Sequence, residues 1–315
     1  MCPSFYDNKI MSRLTKLSCY LYRVTSFKAL WQKNPNSNIY RCIDSIKTAI
    51  AMRVLDHTVG AMLKEKYSGI DLSTLEPIGN NVWIFWYSGF ETAPLIVKKC
   101  VKSIEKSKDI NLILLDKNNF EDYFDFAPHL KKLFESGDLA IQDLADILRT
   151  QLLAKYGGIW CDATVFITHN DFLSSLSNNH FYSGSYTPNW LFTKGKWTSF
   201  FIAAGKGNPL VSALSEAFTY YFKSHDHHFC YFQFDYTWLY LYSHFAWAKQ
   251  LIDSVSQDNN NIFYLSYNWD KPYNEAEYNK VMQENEILKL NWKSNKVPDI
   301  SSAEETNGLH FLSIK

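Results

Sequence analysis

Three charged side chains in one short stretch carry the chemistry this sequence offers. Asp146, Arg149 and Asp162 fall within DILRTQLLAKYGGIWCDAT, residues 146–164. On a helix, Asp146 and Arg149 are neighbours on one face, turned well away from Leu144 and Leu148. Two carboxylates and a guanidinium then converge on one place, which is the kind of constellation a binding or catalytic site needs. The plainer alternative is an exposed helical ion pair worth about 0.3 kcal/mol, followed by an ordinary turn carboxylate.

The elements that must position them are legible in the same stretch. Ile141, Leu144, Ala145, Leu148 and Leu152 recur at roughly helical spacing. Gly157-Gly158 supplies residues tolerant of positive φ where that run stops, so the helix is expected to end at Tyr156. Ile159-Trp160-Cys161 reads as a short buried strand that delivers Asp162-Ala163-Thr164 to its carboxyl end. Ligands of open α/β sheets bind at such ends.

Upstream, Val82 to Tyr87 reads as a buried strand, Leu95 to Ser107 as a crossover helix opened by Pro94, and Asn111 to Asp116 as the next strand. This βαβ opening predicts a parallel sheet covered by helices. Trp86 or Tyr87, at the carboxyl end of the first strand, can stack on a nucleobase or belong to the core; their types suit both. Downstream, a short helix is expected around Pro128 to Phe134. Val165-Phe166-Ile167 should continue as a strand, Phe181 to Trp197 as a hairpin or loop with a turn at Thr187-Pro188, and Phe200 to Ala204 as another strand. Pro209 should open a helix through Phe222, and Tyr236 to Ile252 a long aromatic helix.

Composition sets the frame. The chain has 315 residues, 46% hydrophobic and 17% aromatic, enough to bury a sizeable core. Its formal net charge is +0, so no global field points to nucleic acid as a partner. Cys2, Cys19, Cys42, Cys100, Cys161 and Cys230 are scattered without a C-x-x-C pair, which argues against a disulfide framework or zinc ribbon and fits a reducing cytoplasm. Neither a membrane span nor a signal peptide is expected.

Charge is nonetheless uneven. Lys9, Arg13, Lys16, Arg23, Lys28, Lys33 and Arg41 lie in a stretch free of Asp and Glu. Leu14, Leu17, Tyr20, Leu21, Val24, Phe27, Leu30 and Trp31 interleave with them at helical spacing. Residues 9–41 thus read either as an amphipathic helix lying on an anionic membrane surface, peripheral on the inner face, or as a helix packed on the rest of the chain with a solvated basic face. A second helical run, Ile39 to Lys66, follows. Pro77-Ile78-Gly79-Asn80 marks a boundary between a helical segment, residues 1–78, and the α/β domain, residues 79–315.

The ordered pattern Asp146-x-x-Arg149, Leu153, Tyr156-Gly157-Gly158-Ile159-Trp160-x-Asp162 resembles the signature of GT-A glycosyltransferases related to capsular polysaccharide synthesis proteins, yeast initiating mannosyltransferases and clostridial toxins. The likeness extends to Trp86-x-x-Gly89 with Ala93-Pro94, and to the strand, Lys206-Gly207-x-Pro209 turn and helix after the central motif. It implies a GT-A, Rossmann-like α/β fold with an N-terminal helical extension. It also implies a retaining transfer of a hexose-type sugar from a nucleotide-diphosphate sugar to a polysaccharide or lipid-linked glycan. Asp146 and Arg149 would hold donor-sugar hydroxyls and Asp162 the ribose or a cation. Gly157, Gly158, Thr164 and Asp235 would line or complete the donor site. Lys271, a lone lysine in a loop, reads either as a contact to the diphosphate or as a solvated side chain.

No P-loop or dinucleotide fingerprint is present, so the diphosphate must be neutralised in another way. The resemblance implies a divalent cation, Mn²⁺ or Mg²⁺, on an acidic motif that includes Asp162. The chain departs from D-x-D, however: Asp162-Ala163-Thr164 offers one carboxylate and a neutral hydroxyl, and a hard cation prefers anionic oxygen. Weak metal binding is therefore expected. That departure also motivates a different class of function, a catalytically silent nucleotide-sugar-binding or scaffold subunit; a sugar-phosphate transferase is a third reading. His225-Asp226-His227-His228 is expected to be a solvated loop, because adjacent ligands in regular structure do not point at one ion.

Overall fold

The computed structural model describes residues 13, 17, 20, 38–186, 192–256, 259–295 and 305–313. Most of the basic segment 9–41, the Thr187-Pro188 turn and Asp258 lie outside the described residues.

The N-terminal helical part is α1 (Asn38–Leu55) and α2 (Ala61–Tyr67), joined by one wide turn, Asp56–Gly60, with π-type bonding. Their apolar side, Ala51, Val54, Leu55, Val59 and Leu63, is fully buried. It joins the same core as the helices that carry the site.

The α/β part follows in the expected order: β1 (Asn81–Phe85), α3 (Leu95–Glu105), β2 (Asn111–Leu115), α4 (Pro128–Glu135), α5 (Ile141–Tyr156) and β3 (Gly158–Cys161). Then come β4 (Val165–Ile167), β5 (Phe181–Ser183), β6 (Phe201–Ala204), α6 (Pro209–Tyr221), α7 (Gln233–His244) and α8 (Ala246–Asp253). The chain closes with α9 (Glu275–Glu284), β7 (Ile287–Lys289) and α10 (Asn307–Ser313). The main sheet has the order β2-β1-β3-β6-β5, with β1 parallel to β2 and β3, and β6 antiparallel to both β3 and β5. With its helical N-terminal part, this is the α/β architecture expected, a sheet with parallel β2, β1 and β3 covered by helices.

The sheet separates two cores because successive side chains of a strand face opposite ways. Trp83 and Phe85 enter one core with Leu144, Leu148 and Leu152 of α5. Val82 and Ile84 enter the other with Val97, Val101, Ile159 and Cys161. A helix-period stripe on α5 thus meets the odd positions of β1.

Val165–Ile167 is a strand, as expected, and pairs antiparallel with β7, Val165 opposite Lys289, in a separate two-stranded sheet. One expectation needs correction. The long aromatic helix is two helices, broken at Phe245, whose φ of −126° and ψ of 118° are extended. Phe245, at the break, and Trp247, just past it, are both buried, at 5% and 6% exposed.

Candidate functional site

The central helix ends where the sequence places it. Gly157 has φ 69° and Gly158 φ 100°. A Cβ on Gly158 would stand 2.3 Å from Asn81 O, and one on Gly157 2.7 Å from Lys206 N. The two glycines let α5 turn directly into β3 against neighbouring main chain. They occupy the N-terminal end of β3, whereas Asp162 follows its other end, so their close neighbours are Asn81, Lys206 and the Trp83 indole, not Asp162.

At that other end the charged residues meet. Arg149 Nη2 lies 3.1 Å from Asp146 Oδ1 and 3.5 Å from Asp162 Oδ1. Its side chain is 8% exposed, against 21% for Asp146 and 26% for Asp162. The exposed-pair alternative is thereby excluded. The guanidinium lies over the rings of Trp160 and Phe234, at 5.3 and 5.1 Å, and donates to Ser199 O. Trp160 Nε1 donates to Asp162 Oδ1 at 2.9 Å, fixing the carboxylate from the strand that presents it. Arg149 Nε is buried without a partner among the described residues.

The cluster sets the carboxyls apart electrostatically. Burial pushes Asp146 up to about 7; Arg149 opposes this, while Asp143, Asp235 and Asp162 add to it. Asp235 is likewise raised by burial, to about 6, against the stabilising Trp197 indole N–H at 3.2 Å and Arg149. Burial also acts on Asp162, but Lys289 and Arg149 outweigh it and hold the carboxyl below its usual value. One firmly ionised carboxylate therefore stands beside two that ionise near neutrality, a division of labour typical of acid and base sites.

Lys289 is the residue that the sequence reading missed. Its Nζ donates to Asp162 Oδ2 at 2.9 Å and to Thr164 Oγ1 at 2.8 Å, and lies 4.9 Å from the Phe200 ring. Some 127 residues separate it from Asp162. The only local signal is a lysine within the apolar run Ile287-Leu288-Lys289-Leu290, which says nothing about its partner. Tyr231, 68% exposed, is also within electrostatic range of Asp146, Asp162 and Asp235, and was not singled out.

The donor set does not fit a divalent cation. Asp162 Oδ2 and Thr164 Oγ1, the two oxygens that the D-A-T turn offers, both accept from an ammonium. Among the described residues no group of three or more His, Cys, Asp or Glu side chains is arranged to hold a metal ion. The three histidines of the 225–228 segment turn to separate partners. His225 stacks on Tyr221, His227 pairs with Asp226, and His228 Nδ1 meets Asp143 at 2.9 Å. That last contact raises the His228 value, chiefly through the hydrogen bond with Asp143.

The aromatic candidates divide. Trp86, just past β1, meets Trp292 edge-on at 5.6 Å, and its indole N–H is buried without a partner among the described residues. Because β1 runs parallel to β3 with Trp83 level with Trp160, Trp86 and Asp162 emerge at the same edge of the sheet. Tyr87 packs instead among Phe85, Phe120 and Phe134. Asp235 sits on the first turn of α7, next to the Phe234 that underlies Arg149. Lys271 is exposed, in a turn tied by main-chain bonds to Asn268 and Asn307, and no described contact brings it to the cluster.

The chain resembles the solved PaToxG glycosyltransferase at 16% identity over 80% of this chain and 97% of that one, with a TM-score of 0.39. No curated protein matches it. The model of the capsular polysaccharide synthesis protein family matches residues 33–305. The chain therefore belongs to the capsular polysaccharide synthesis protein family.

Proposed function

We propose that the protein transfers a hexose-type sugar, with retention, from a nucleotide-diphosphate sugar to a polysaccharide or lipid-linked glycan acceptor in the synthesis of a surface polysaccharide. The observation that carries this reading is the buried Arg149, held between Asp146 and Asp162 at the carboxyl end of the parallel strands with its Nε–H unpaired. An open α/β sheet receives its ligand at that edge, and a buried donor without a partner is a group that a ligand can satisfy.

In this reading the acceptor hydroxyl oxygen bonds to the sugar C1 as the bond from C1 to the diphosphate oxygen breaks. The electron pair stays on the diphosphate, and the hydroxyl proton passes to a diphosphate oxygen or to water. Asp146 accepts hydrogen bonds from sugar hydroxyls, while Arg149 orients Asp146 and donates to the sugar or the phosphate. Trp86, with Trp292 beside it, offers an aromatic face for the base. Preorganised charge that meets the departing diphosphate is the largest contribution such a site can make.

We also infer that the basic segment 9–41 rests on an anionic membrane surface, which would bring the site to a lipid-linked acceptor; its charge and apolar spacing support this. Among the described residues no helix is long and apolar enough to cross a membrane. Incubation with a panel of UDP- and GDP-sugars, without acceptor, tests the main reading. Slow release of nucleoside diphosphate from one donor is expected. A protein that binds a donor but never cleaves it, even with glycan acceptors added, would be the silent subunit instead.

A further inference from the structure

Resting on the glycosyltransferase reading, we propose that Lys289 is the built-in cation of this site and that the chain binds the donor's diphosphate without a divalent metal. The D-A-T turn supplies one carboxylate oxygen and one hydroxyl, and the Lys289 ammonium takes both, at 2.9 and 2.8 Å. A metal ion at these oxygens would have to displace that ammonium or sit against it, and like charges a few ångströms apart in a partly buried site repel strongly.

The lysine is placed by main chain and not by chance of rotamer. Its strand β7 pairs with β4, with Val165 level with Lys289. Leu290 N donates to Thr164 O at 2.9 Å, and Lys289 N donates to Ile262 O at 2.7 Å. The turn that carries Asp162 and Thr164 and the strand that carries Lys289 are thus held to each other by backbone bonds. The side chain is only 20% exposed. An ammonium fixed in this way needs no reorganisation when the leaving group gains charge, which is the property that makes a preorganised cation effective.

Local charge supports the assignment. Lys289 sets a second positive charge beside Arg149, both against Asp162. Its ammonium can donate a third hydrogen bond, to a phosphate oxygen, since two are used here.

The test is calorimetry on the full chain with UDP, GDP, UMP and GMP, each in chelator and in Mn²⁺. Wild type is expected to bind one of the diphosphates in chelator, and Mn²⁺ should change the affinity little. Lys289→Met should weaken diphosphate binding about ten- to hundredfold in chelator, the value of one charge-assisted hydrogen bond, and weaken the monophosphate less. Mn²⁺ should restore part of that loss, because Asp162 and Thr164 are then free. Lys289→Arg should keep most of the affinity. Diphosphate binding by wild type only when Mn²⁺ is present overturns the proposal alone. So does a folded Lys289→Met protein, judged by circular dichroism, that binds diphosphate as wild type does. Failure of both diphosphates to bind wild type in either condition overturns the glycosyltransferase reading together with this one.

Discussion

Asp146→Asn separates the cost of burying a carboxylate from its use. Burial, with Arg149 opposing and the neighbouring carboxylates adding, moves the Asp146 carboxyl from 3.8 to about 7 in the folded chain. Between those two values the folded chain holds a proton that the unfolded chain has lost. The stabilisation from this group is therefore complete below the lower value and disappears as pH rises through the upper one. At about 1.4 kcal/mol per pH unit, the whole interval corresponds to about 4 kcal/mol, and the part between about pH 5 and about pH 8 to about 2–3 kcal/mol. Asparagine does not ionise, so the variant lacks this slope. Urea unfolding of both proteins at the two pH values should show the variant gaining about 2–3 kcal/mol relative to wild type on going from the lower pH to the higher. Sugar transfer should fall at both, because the carboxylate that pairs with Arg149 at 3.1 Å is gone. If the two proteins lose stability in parallel across this range, Asp146 does not carry a raised carboxyl value and its burial is not the cause of the pH dependence.

Asp162→Asn should abolish transfer while leaving the fold intact, since Asp162 sits past the end of β3 and not in the core; a folded variant with wild-type turnover would remove it from the mechanism. Gly158→Ala should destabilise the protein by about 2 kcal/mol or more, because its φ of 100° and the 2.3 Å approach to Asn81 O both exclude a Cβ, and an unchanged urea midpoint would contradict this. Deleting residues up to Asn38 should release the protein from anionic vesicles at moderate salt, at about 1 kcal/mol per basic residue; co-sedimentation unchanged by the deletion would place the contact elsewhere.

The local and the long-range parts of the site were not equally legible. Asp146, Arg149 and Asp162 could be read together because one helix, one glycine turn and one strand connect them, and periodicity of 3.6 and then 2 fixes where each side chain points. The same logic gave the C-terminus of α5 at Tyr156, the first βαβ unit, and Trp86 and Tyr87 at the carboxyl end of the first strand. It could not choose between Trp86 and Tyr87, since both follow β1 directly and their sorting depends on what packs above them: Trp292 for one, Phe120 and Phe134 for the other.

Sequence alone thus determined the turn that carries the charged residues, the fold class and the missing second carboxylate of a D-x-D motif. Only the tertiary structure decided what meets the oxygens that remain in that turn. The β4–β7 pairing brings Lys289 onto Asp162 and Thr164 across 127 and 125 residues of chain. It also decided that Lys271 stays away, that Arg149 is buried between Trp160 and Phe234, and that Asp146 and Asp235 ionise near neutrality. The physical reason is common to all of these. A side chain's direction along its own helix or strand is set by neighbours a few residues away. Its burial, its charge state and its partners depend instead on which distant strand closes over it, and a lysine in a short apolar run carries no local mark of that.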